Sequence, residues 1–327
     1  MSARPSGAAA RFGLPVALLA AVALAACGGE DNEGTPALSA GEPLGEGGAL
    51  VWTVADEVDG IDPLAAETRA AQLVTRQIHE PLVAGLTGPF GDTRRVPGLA
   101  RRVRGSGDDT IWTLTLRRGV GFQDGEPFNA DAVVANAERW QATPEGQALL
   151  PGLVDVFAPR FDEVRFLLAA PDPGFGRRLA APRLGIVSPR ALEALDGADP
   201  AFRAFDTGTG PFALAERSPV RQLLARNTDW WGTTSEVDLG PALEQIEFRA
   251  DPSSAVRLAL LDAGDAQVAD ELVATQAQQA QADPLLYALP GAEGTWLGLS
   301  RSVRGIDSAR EIPSLSAAWL TNVTVAD

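Results

Sequence analysis

The chain has 327 residues, 45% of them hydrophobic, so it is long and apolar enough to bury one large core or two ordinary ones, and its composition excludes a disordered protein. The formal net charge is −16, and all 27 basic residues are arginine. Because the phosphates of a nucleic acid require a basic surface, this charge argues against a nucleic-acid partner.

The first residues have the pattern of an export signal. Residues 1–11 carry two arginines, residues 12–26 are almost wholly apolar, and Leu-Ala-Ala precedes Cys27, the single cysteine. The apolar run is shorter than the roughly 20 residues of a membrane-spanning helix. Leu-Ala-Ala-Cys resembles a bacterial lipobox, which implies that residues 1–26 are a lipoprotein signal peptide and that Cys27 carries diacylglycerol. An ordinary secretory signal with a coincidental cysteine is the alternative.

The segments that follow predict a tether, a strand and a helix. Residues 27–48 are rich in glycine, glutamate and proline and have no apolar period, which predicts a disordered tether. Residues 49–55 have the pattern of a first strand, and residues 65–78 have helical spacing. Between them lies an acidic loop at residues 56–63, and after them comes His79-Glu80-Pro81-Leu82-Val83.

Residues 110–140 predict a strand, a tight turn and a capped helix. Trp112, Leu114 and Leu116 alternate with polar positions, as in a half-buried strand. The glycines of residues 118–125 allow the chain to reverse. Asn129 caps the predicted helix, with Val133, Ala137 and Trp140 on one face (residues 129–140 read NADAVVANAERW).

Strands and helices continue to alternate along the chain, which is typical of an α/β layered body. We predict strands at residues 163–169, 184–187, 243–249 and 295–300, and a turn that leads into a strand at residues 264–269. We predict helices at residues 175–180, 189–195, 254–263 and 272–285. In the helix at residues 254–263, Val256, Leu260 and Leu261 are expected to face inward. Trp230 and Trp231 are expected to pack in a core or hinge, because two indoles bury a large apolar area.

Several of these runs resemble the signatures of the family 5 solute-binding proteins, the peptide, oligopeptide and nickel receptors of ABC importers. Residues 112–130 are similar to the pattern "Y-T-F-x-L-R-x-G-V-x-F-x-D-G-x-P-x-x-A". The HEPLV run is similar to "Y-E-P-L-V", residues 208–212 to "G-T-G-P-Y", and residues 226–232 to "R-N-x-x-Y-W-G". The resemblance covers about residues 50–300.

The resemblance implies a type II periplasmic-binding-protein-like α/β fold. Residues 49–90 and 205–300 are expected to form the core subdomain of the first lobe, and residues 91–204 its smaller subdomain. Residues 301–327 are expected to begin a second lobe that, like the return segment, is largely missing. From this we expect a truncated gene product or a fragment whose binding activity without the second lobe is open.

The resemblance also implies the function: an extracytoplasmic, lipid-anchored, monomeric receptor that captures a peptide or similar solute for an ABC permease, without catalysis. It implies ligand contacts in the loop after the first strand, at Glu57, Val58 and Asp59. A further contact is expected at Trp296, for which structural packing is an equal alternative. No cofactor or metal is expected.

Two other classes of function are alternatives to a solute receptor. A non-transporting lipoprotein that serves as an interaction module would keep the fold and lose the ligand. A hydrolase would have to use His79, the single histidine, yet no G-x-S-x-G elbow accompanies it and HEPLV lacks the H-E-x-x-H spacing of a metal site. Core packing is therefore the expected role of His79.

Overall fold

The computed structural model describes residues 48–58, 60–87, 93–194, 206–234, 241, 243–290, 296–304 and 324–325. The predicted signal peptide, Cys27, nearly all of the tether, and Asp59 lie outside these residues. Within the described part of the chain, no helix is both long and apolar enough to cross a membrane.

Strands and helices are numbered separately in chain order. The strands are β1 (Ala49–Val54), β2 (Val83–Thr87), β3 (Thr93–Pro97), β4 (Ala100–Gly105), β5 (Ile111–Leu116), β6 (Leu153–Arg160), β7 (Glu163–Leu168), β8 (Phe212–Ser218), β9 (Arg221–Arg226), β10 (Gln245–Ala250), β11 (Val268–Leu272), β12 (Leu286–Pro290), β13 (Trp296–Ser300), β14 (Val303–Arg304) and β15 (Thr324–Val325). The helices are α1 (Arg69–Ile78), α2 (Ala130–Ala142), α3 (Pro144–Leu149), α4 (Phe175–Arg178), α5 (Pro189–Glu193), α6 (Ser254–Ala263) and α7 (Ala274–Ala282).

A seven-stranded sheet contains β1 and the strands from β8 to β13, in the order β12-β13-β11-β1-β10-β9-β8. Strand β1 lies inside this sheet and is parallel to both of its neighbours, β10 and β11, whereas the other pairs are antiparallel. Helix α6 connects β10 to β11, which is the crossover that two parallel strands require. The chain therefore passes over β1 on its way from one neighbour to the other.

Helix α1 packs against this sheet. Its buried residues Leu73, Val74 and Ile78 share one core with Trp52 and Phe248 of the sheet. The helix begins at Arg69, four residues later than the sequence pattern predicts, because Thr68 caps it: the Thr68 hydroxyl accepts a hydrogen bond from the Ala71 N–H at 3.1 Å.

A four-stranded antiparallel sheet, β4-β5-β7-β6, carries α2 on one face. Trp112 and Leu114 of β5 are buried, as the alternation predicts, and they share a core with Val133, Ala137 and Trp140 of α2. The Asn129 side chain caps the helix by accepting a hydrogen bond from the Ala132 N–H at 2.9 Å. The predicted strand and helix are both confirmed. Strands β2 and β3 form a separate two-stranded antiparallel sheet, as do β14 and β15.

The strand predicted at residues 184–187 is wrong. The segment leaves a 3₁₀ turn (Pro182–Leu184) and continues as a buried, extended segment that joins neither large sheet. The Ile186 N–H donates to the Glu80 backbone carbonyl at 3.0 Å, and the backbone of Val187 is bonded by a side chain. The Val187 N–H donates to the Asn136 carboxamide oxygen at 3.0 Å, and the Val187 carbonyl accepts from the Asn136 amide at 2.8 Å.

Two other predictions, both about the helices between residues 254 and 285, need correction. Helix α6 has the predicted bounds, but Val256 is 42% exposed, and Arg257 and Leu258 are buried with Leu261. The helix predicted over residues 272–285 is shorter, because β11 extends to Leu272 and α7 spans only Ala274–Ala282.

Candidate functional site

The carboxyl ends of β1, β10 and β11 meet at one edge of the seven-stranded sheet. In open α/β sheets, ligands bind outside the carboxyl ends of the parallel strands, where the strand order changes direction. Here that position is β1, since β10 and β11 lie on opposite sides of it. Strand β13 runs antiparallel to β11, so its first residue, Trp296, lies at the same edge.

Two arginines and a buried aspartate fix the backbone at this edge. The Asp270 carboxylate is 1% exposed and accepts a hydrogen bond from the Arg69 guanidinium at 2.8 Å. Arg257, itself buried, donates to the backbone carbonyl oxygens of Asp270 at 2.9 Å, Glu271 at 3.0 Å and Asp251 at 2.5 Å. Its charge is therefore used to join the ends of β10 and β11.

Glu271 is held in an unusual backbone conformation at this position. Its φ is +51°, in the left-handed region that residues with a Cβ rarely adopt, and the β11–β13 pairing shifts register between Ala269 and Leu272. Such a conformation costs on the order of 1 kcal/mol and occurs most often at ligand sites and switch regions. Asp270 supports it, because its carboxylate accepts a hydrogen bond from the Glu271 N–H at 2.9 Å.

Three acidic residues, Asp56, Asp270 and Glu271, lie close together at this edge. Burial raises the pKa of the half-buried Glu271 carboxyl, and the charges of Asp270 and Asp56 raise it further, while Arg69 and Arg257 oppose them. Asp56 is exposed in the loop after β1. Since both arginines are already bonded within the protein, the charge left for a ligand to meet is negative.

The residues predicted as ligand contacts lie in different surroundings. Glu57 is exposed in the loop after β1. Val58 is 1% exposed, and its backbone is bonded at both ends: its N–H donates to the Pro219 carbonyl at 2.9 Å, and its own carbonyl accepts from the Gln222 amide at 3.2 Å. Val58 thus holds the loop against the β8–β9 turn. Asp59 lies outside the described residues.

Trp296 is half-buried and begins β13. It pairs with Leu272 of β11 and with Pro290 of β12, and its side chain packs against the buried cluster formed by α6, α7 and β11. One part of the Trp296 side chain is therefore packed in the protein, and another part is exposed to solvent. Trp296 shares its edge of the sheet with Asp270 and Glu271, which the sequence analysis did not identify. The available signal was the pair of adjacent acids in the run Val-Ala-Asp-Glu-Leu.

A second polar cluster joins the motifs that carried the resemblance. The Glu80 carboxylate is buried and accepts hydrogen bonds from the Thr209 hydroxyl at 3.0 Å, the Trp230 indole N–H at 3.3 Å and the Trp231 indole N–H at 2.8 Å. The Arg117 guanidinium lies over the Trp231 ring, 4.2 Å from its centroid. Burial raises the pKa of Glu80 to about 7, although these hydrogen bonds and Arg117 oppose the shift.

The surroundings of Glu80 are tight and structural. A Cβ on Gly208 would lie 2.0 Å from the Ile78 carbonyl oxygen, so only glycine fits the backbone where it passes α1. His79 is fully buried beside this contact, with Nδ1 3.3 Å from the Ile186 carbonyl oxygen. Among the described residues, no group of three or more His, Cys, Asp or Glu side chains is arranged to hold a metal ion.

The chain is similar to known proteins over about two thirds of its length or more. The family model described as bacterial extracellular solute-binding proteins, family 5, middle region, matches residues 94–311. A curated relative, the glutathione-binding protein GsiB of Salmonella choleraesuis (strain SC-B67), is 31% identical over 227 residues, which cover 67% of this chain and 41% of that protein. The chain thus spans less than half the length of this relative.

Two solved structures share the fold. The PBP AgaA from A. tumefaciens R10, in complex with agropinic acid, superposes with a TM-score of 0.66 at 24% identity, over 74% of this chain and 48% of that one. The periplasmic binding protein DppA from Helicobacter pylori, in complex with the peptide STSA, has a TM-score of 0.64 at 23% identity, over 74% and 50%. The α/β periplasmic-binding-protein fold that the sequence predicts is therefore confirmed.

Proposed function

This chain belongs to family 5 of the bacterial extracellular solute-binding proteins, and on that premise we propose that it captures a peptide or a related small solute outside the cytoplasm and delivers it to the permease of an ABC importer. The observation that carries the proposal is the acidic edge at the carboxyl ends of β1 and β11, where Glu271 is held at positive φ beside Trp296. A receptor of this kind binds its solute without changing it.

In this proposal, the ligand lies over the loop after β1. Val58 anchors the loop, while Glu57 and Asp59 on either side of it accept hydrogen bonds from a ligand ammonium group. The exposed part of Trp296 contacts an apolar portion of the ligand. The negative charge at this edge supports a ligand with a cationic end, such as the amino terminus of a peptide, because the arginines nearby are bonded to the protein itself.

Calorimetric titration with glutathione and with a set of dipeptides tests the site. We expect one of these probes to bind, and Trp296→Leu to weaken that binding about tenfold, because a buried aromatic contact contributes more than ~1 kcal/mol. Leucine keeps the apolar contact with α6 and α7. We expect Glu57→Gln to weaken binding of the same probe, and Glu138→Gln, an exposed change on α2, to leave it unaltered.

Two results would contradict the proposal. One is the absence of binding by any of these probes. The other is binding that neither Trp296→Leu nor Glu57→Gln weakens, which would move the ligand to another part of the chain. If N-acetylated dipeptides bind as tightly as free ones, the ammonium contact is wrong even where the site is right.

The proposed receptor is monomeric and is held at the membrane by a lipid on Cys27. Cys27→Ser should abolish incorporation of labelled palmitate and, in a high-salt wash that screens charged contacts with lipid, should move the protein from the membrane fraction to the soluble fraction. Membrane association that survives Cys27→Ser together with unchanged labelling would refute the anchor. The absence of catalysis is tested by mass spectrometry of a bound peptide after long incubation, where we expect the intact peptide and not its fragments.

A further inference from the structure

One face of the four-stranded sheet combines arginines with exposed apolar side chains. Across the sheet, Arg104 of β4 is paired with Thr113, Thr113 with Arg165, and Arg165 with Phe157 of β6. Residues paired directly across strands point to the same face. Trp112, Phe166 and Val156 point to the other face, into the core under α2. We call the outer side the arginine face; the pairing places on it Arg102, Arg104, Arg160, Arg165, Ile111 and Phe157, together with the acids Asp155 and Glu163. Arg101 lies next to it, at the bulge of β4.

The arginine face has more arginines than acids, although the chain as a whole is acidic. Strand β4 alone carries three arginines and no acid, whereas the whole chain has a formal charge of −16. Arg101, Arg102 and Arg104 are exposed on β4, which is an edge strand of the sheet. Positive charge is therefore concentrated along this edge of the sheet.

The basic charge of β4 is not neutralised by the protein itself. Arg165 is paired with Glu163 at 2.8 Å and Arg118 with Asp162 at 2.8 Å, but among the described residues Arg101, Arg102 and Arg104 form no salt bridge.

Apolar side chains stand beside these arginines. Phe157 is 42% exposed and Ile111 39% exposed, so two large apolar groups share the face with the guanidinium groups. A surface of this composition suits the boundary between phospholipid headgroups and acyl chains, where guanidinium groups bind phosphate and aromatic rings sit at headgroup depth.

We propose that the arginine face binds a membrane surface that contains anionic phospholipids, and thereby orients the protein on the bilayer. Charge complementarity supports this partner: the chain as a whole is acidic and is repelled by the same surface, so the molecule turns the arginine face toward it. The orientation is independent of any solute, since the face lies on the sheet that carries α2 and the proposed ligand edge lies on the other sheet.

Vesicle sedimentation tests the proposal with the full chain carrying Cys27→Ser, so that no lipid is attached. The measured quantity is the ratio of the partition coefficients for vesicles with about 30% phosphatidylglycerol and for pure phosphatidylcholine vesicles. Arg102→Gln/Arg104→Gln is compared with Arg177→Gln/Arg217→Gln, a double change of exposed arginines outside the face. Every variant carries the same amino-terminal segment, so differences between them report on the folded part.

We expect the ratio to fall roughly thirtyfold in Arg102→Gln/Arg104→Gln, because each basic residue at an anionic surface contributes about fivefold. The control double variant should keep nearly the full ratio. Raising the salt concentration should weaken binding to the anionic vesicles. Equal binding to both kinds of vesicle, or an equal loss in the two double variants, would overturn the proposal. Tighter binding of polyglutamate than of anionic vesicles would assign the face to an acidic protein partner instead.

Discussion

Replacing Glu80 with glutamine should remove a pH dependence of stability that the native protein carries in its core. The Glu80 carboxylate accepts three hydrogen bonds through one oxygen, from Thr209, Trp230 and Trp231. The carboxamide oxygen of glutamine can accept the same three bonds at nearly the same volume, without ever carrying a charge. The substitution therefore tests the charge and leaves the packing in place.

The magnitude follows from the pKa of Glu80, which burial raises from 4.5 to about 7 in the folded protein. The folded state therefore keeps a proton that the unfolded state releases. The contribution of this group to stability is fully present below pH 4.5 and is lost as the pH rises to about 7. The loss is about 3 kcal/mol, because a tenfold difference in proton affinity between the folded and unfolded states corresponds to about 1.4 kcal/mol. The glutamine side chain does not ionise, so above pH 7 the free energy of unfolding of the variant should exceed that of the native protein by about this amount.

Urea unfolding followed by tryptophan fluorescence at pH 5 and pH 8 measures this difference. We expect Glu80→Gln and the native protein to be about equally stable at the lower pH, and the variant to be the more stable at the higher pH. Glu138→Gln, an exposed change on α2, should show no such crossover. The reasoning is refuted if the stability difference between native protein and Glu80→Gln is the same at both pH values, or if the native protein gains on the variant as the pH rises.

Three further predictions concern stability and are measured by thermal or urea unfolding. Gly208→Ala should destabilise the protein by more than about 3 kcal/mol, because its Cβ would meet the Ile78 carbonyl, while Gly107→Ala, with nothing within 4 Å, should change little; equal effects would contradict the close approach. Arg257→Leu should cost about 3 kcal/mol by leaving buried carbonyl oxygens without a donor, and a neutral result would show that water replaces it. Asn129→Ala should cost about 1 kcal/mol by removing the cap of α2, and Asn129→Asp should retain most of it.

Sequence reasoning predicted the elements whose stabilising contacts are local. Helix α2 was found because its cap and its apolar face lie within one segment, and β5 because its alternation is clear. The segment at residues 184–187 was misassigned because a short buried apolar run has no period of its own. The hydrogen bonds of Val187 come from the side chain of Asn136, 51 residues away, and no local pattern reveals that partner.

The candidate site was less predictable, because it depends on which strands are neighbours. Glu57 and Trp296 were expected at the ligand edge and lie in the predicted loop and strand, but their contact with a ligand stays a prediction. Glu271 was missed because its role rests on a positive φ and on a register shift, neither of which has a sequence signal here. Arg257 was missed because the carbonyl oxygens that draw it inward belong to the ends of two different strands.

The domain boundaries predicted at residues 90, 204 and 300 stay a prediction. The two large sheets draw on different parts of the chain, since β4 to β7 lie between β1 and β8. The family motifs include the residues of the Glu80 cluster, but they did not predict its hydrogen bonds. Trp230 and Trp231 were expected to pack in a core or hinge, and both indoles in fact also donate hydrogen bonds to the buried Glu80 carboxylate.

The position of β1 constrains the order in which this protein folds. Ala49 pairs with Gln245, and Trp52 with Val268, so the first strand made during synthesis finds both of its neighbours only about 200 residues later. Until then its apolar side chains have no sheet to join, and the hydrogen-bonding groups on both of its sides are unpaired. The four-stranded sheet and α2 are complete long before that point. The large sheet is therefore the late event, and a chain exported before its residues 245–272 are made would cross the membrane with β1 still unpaired.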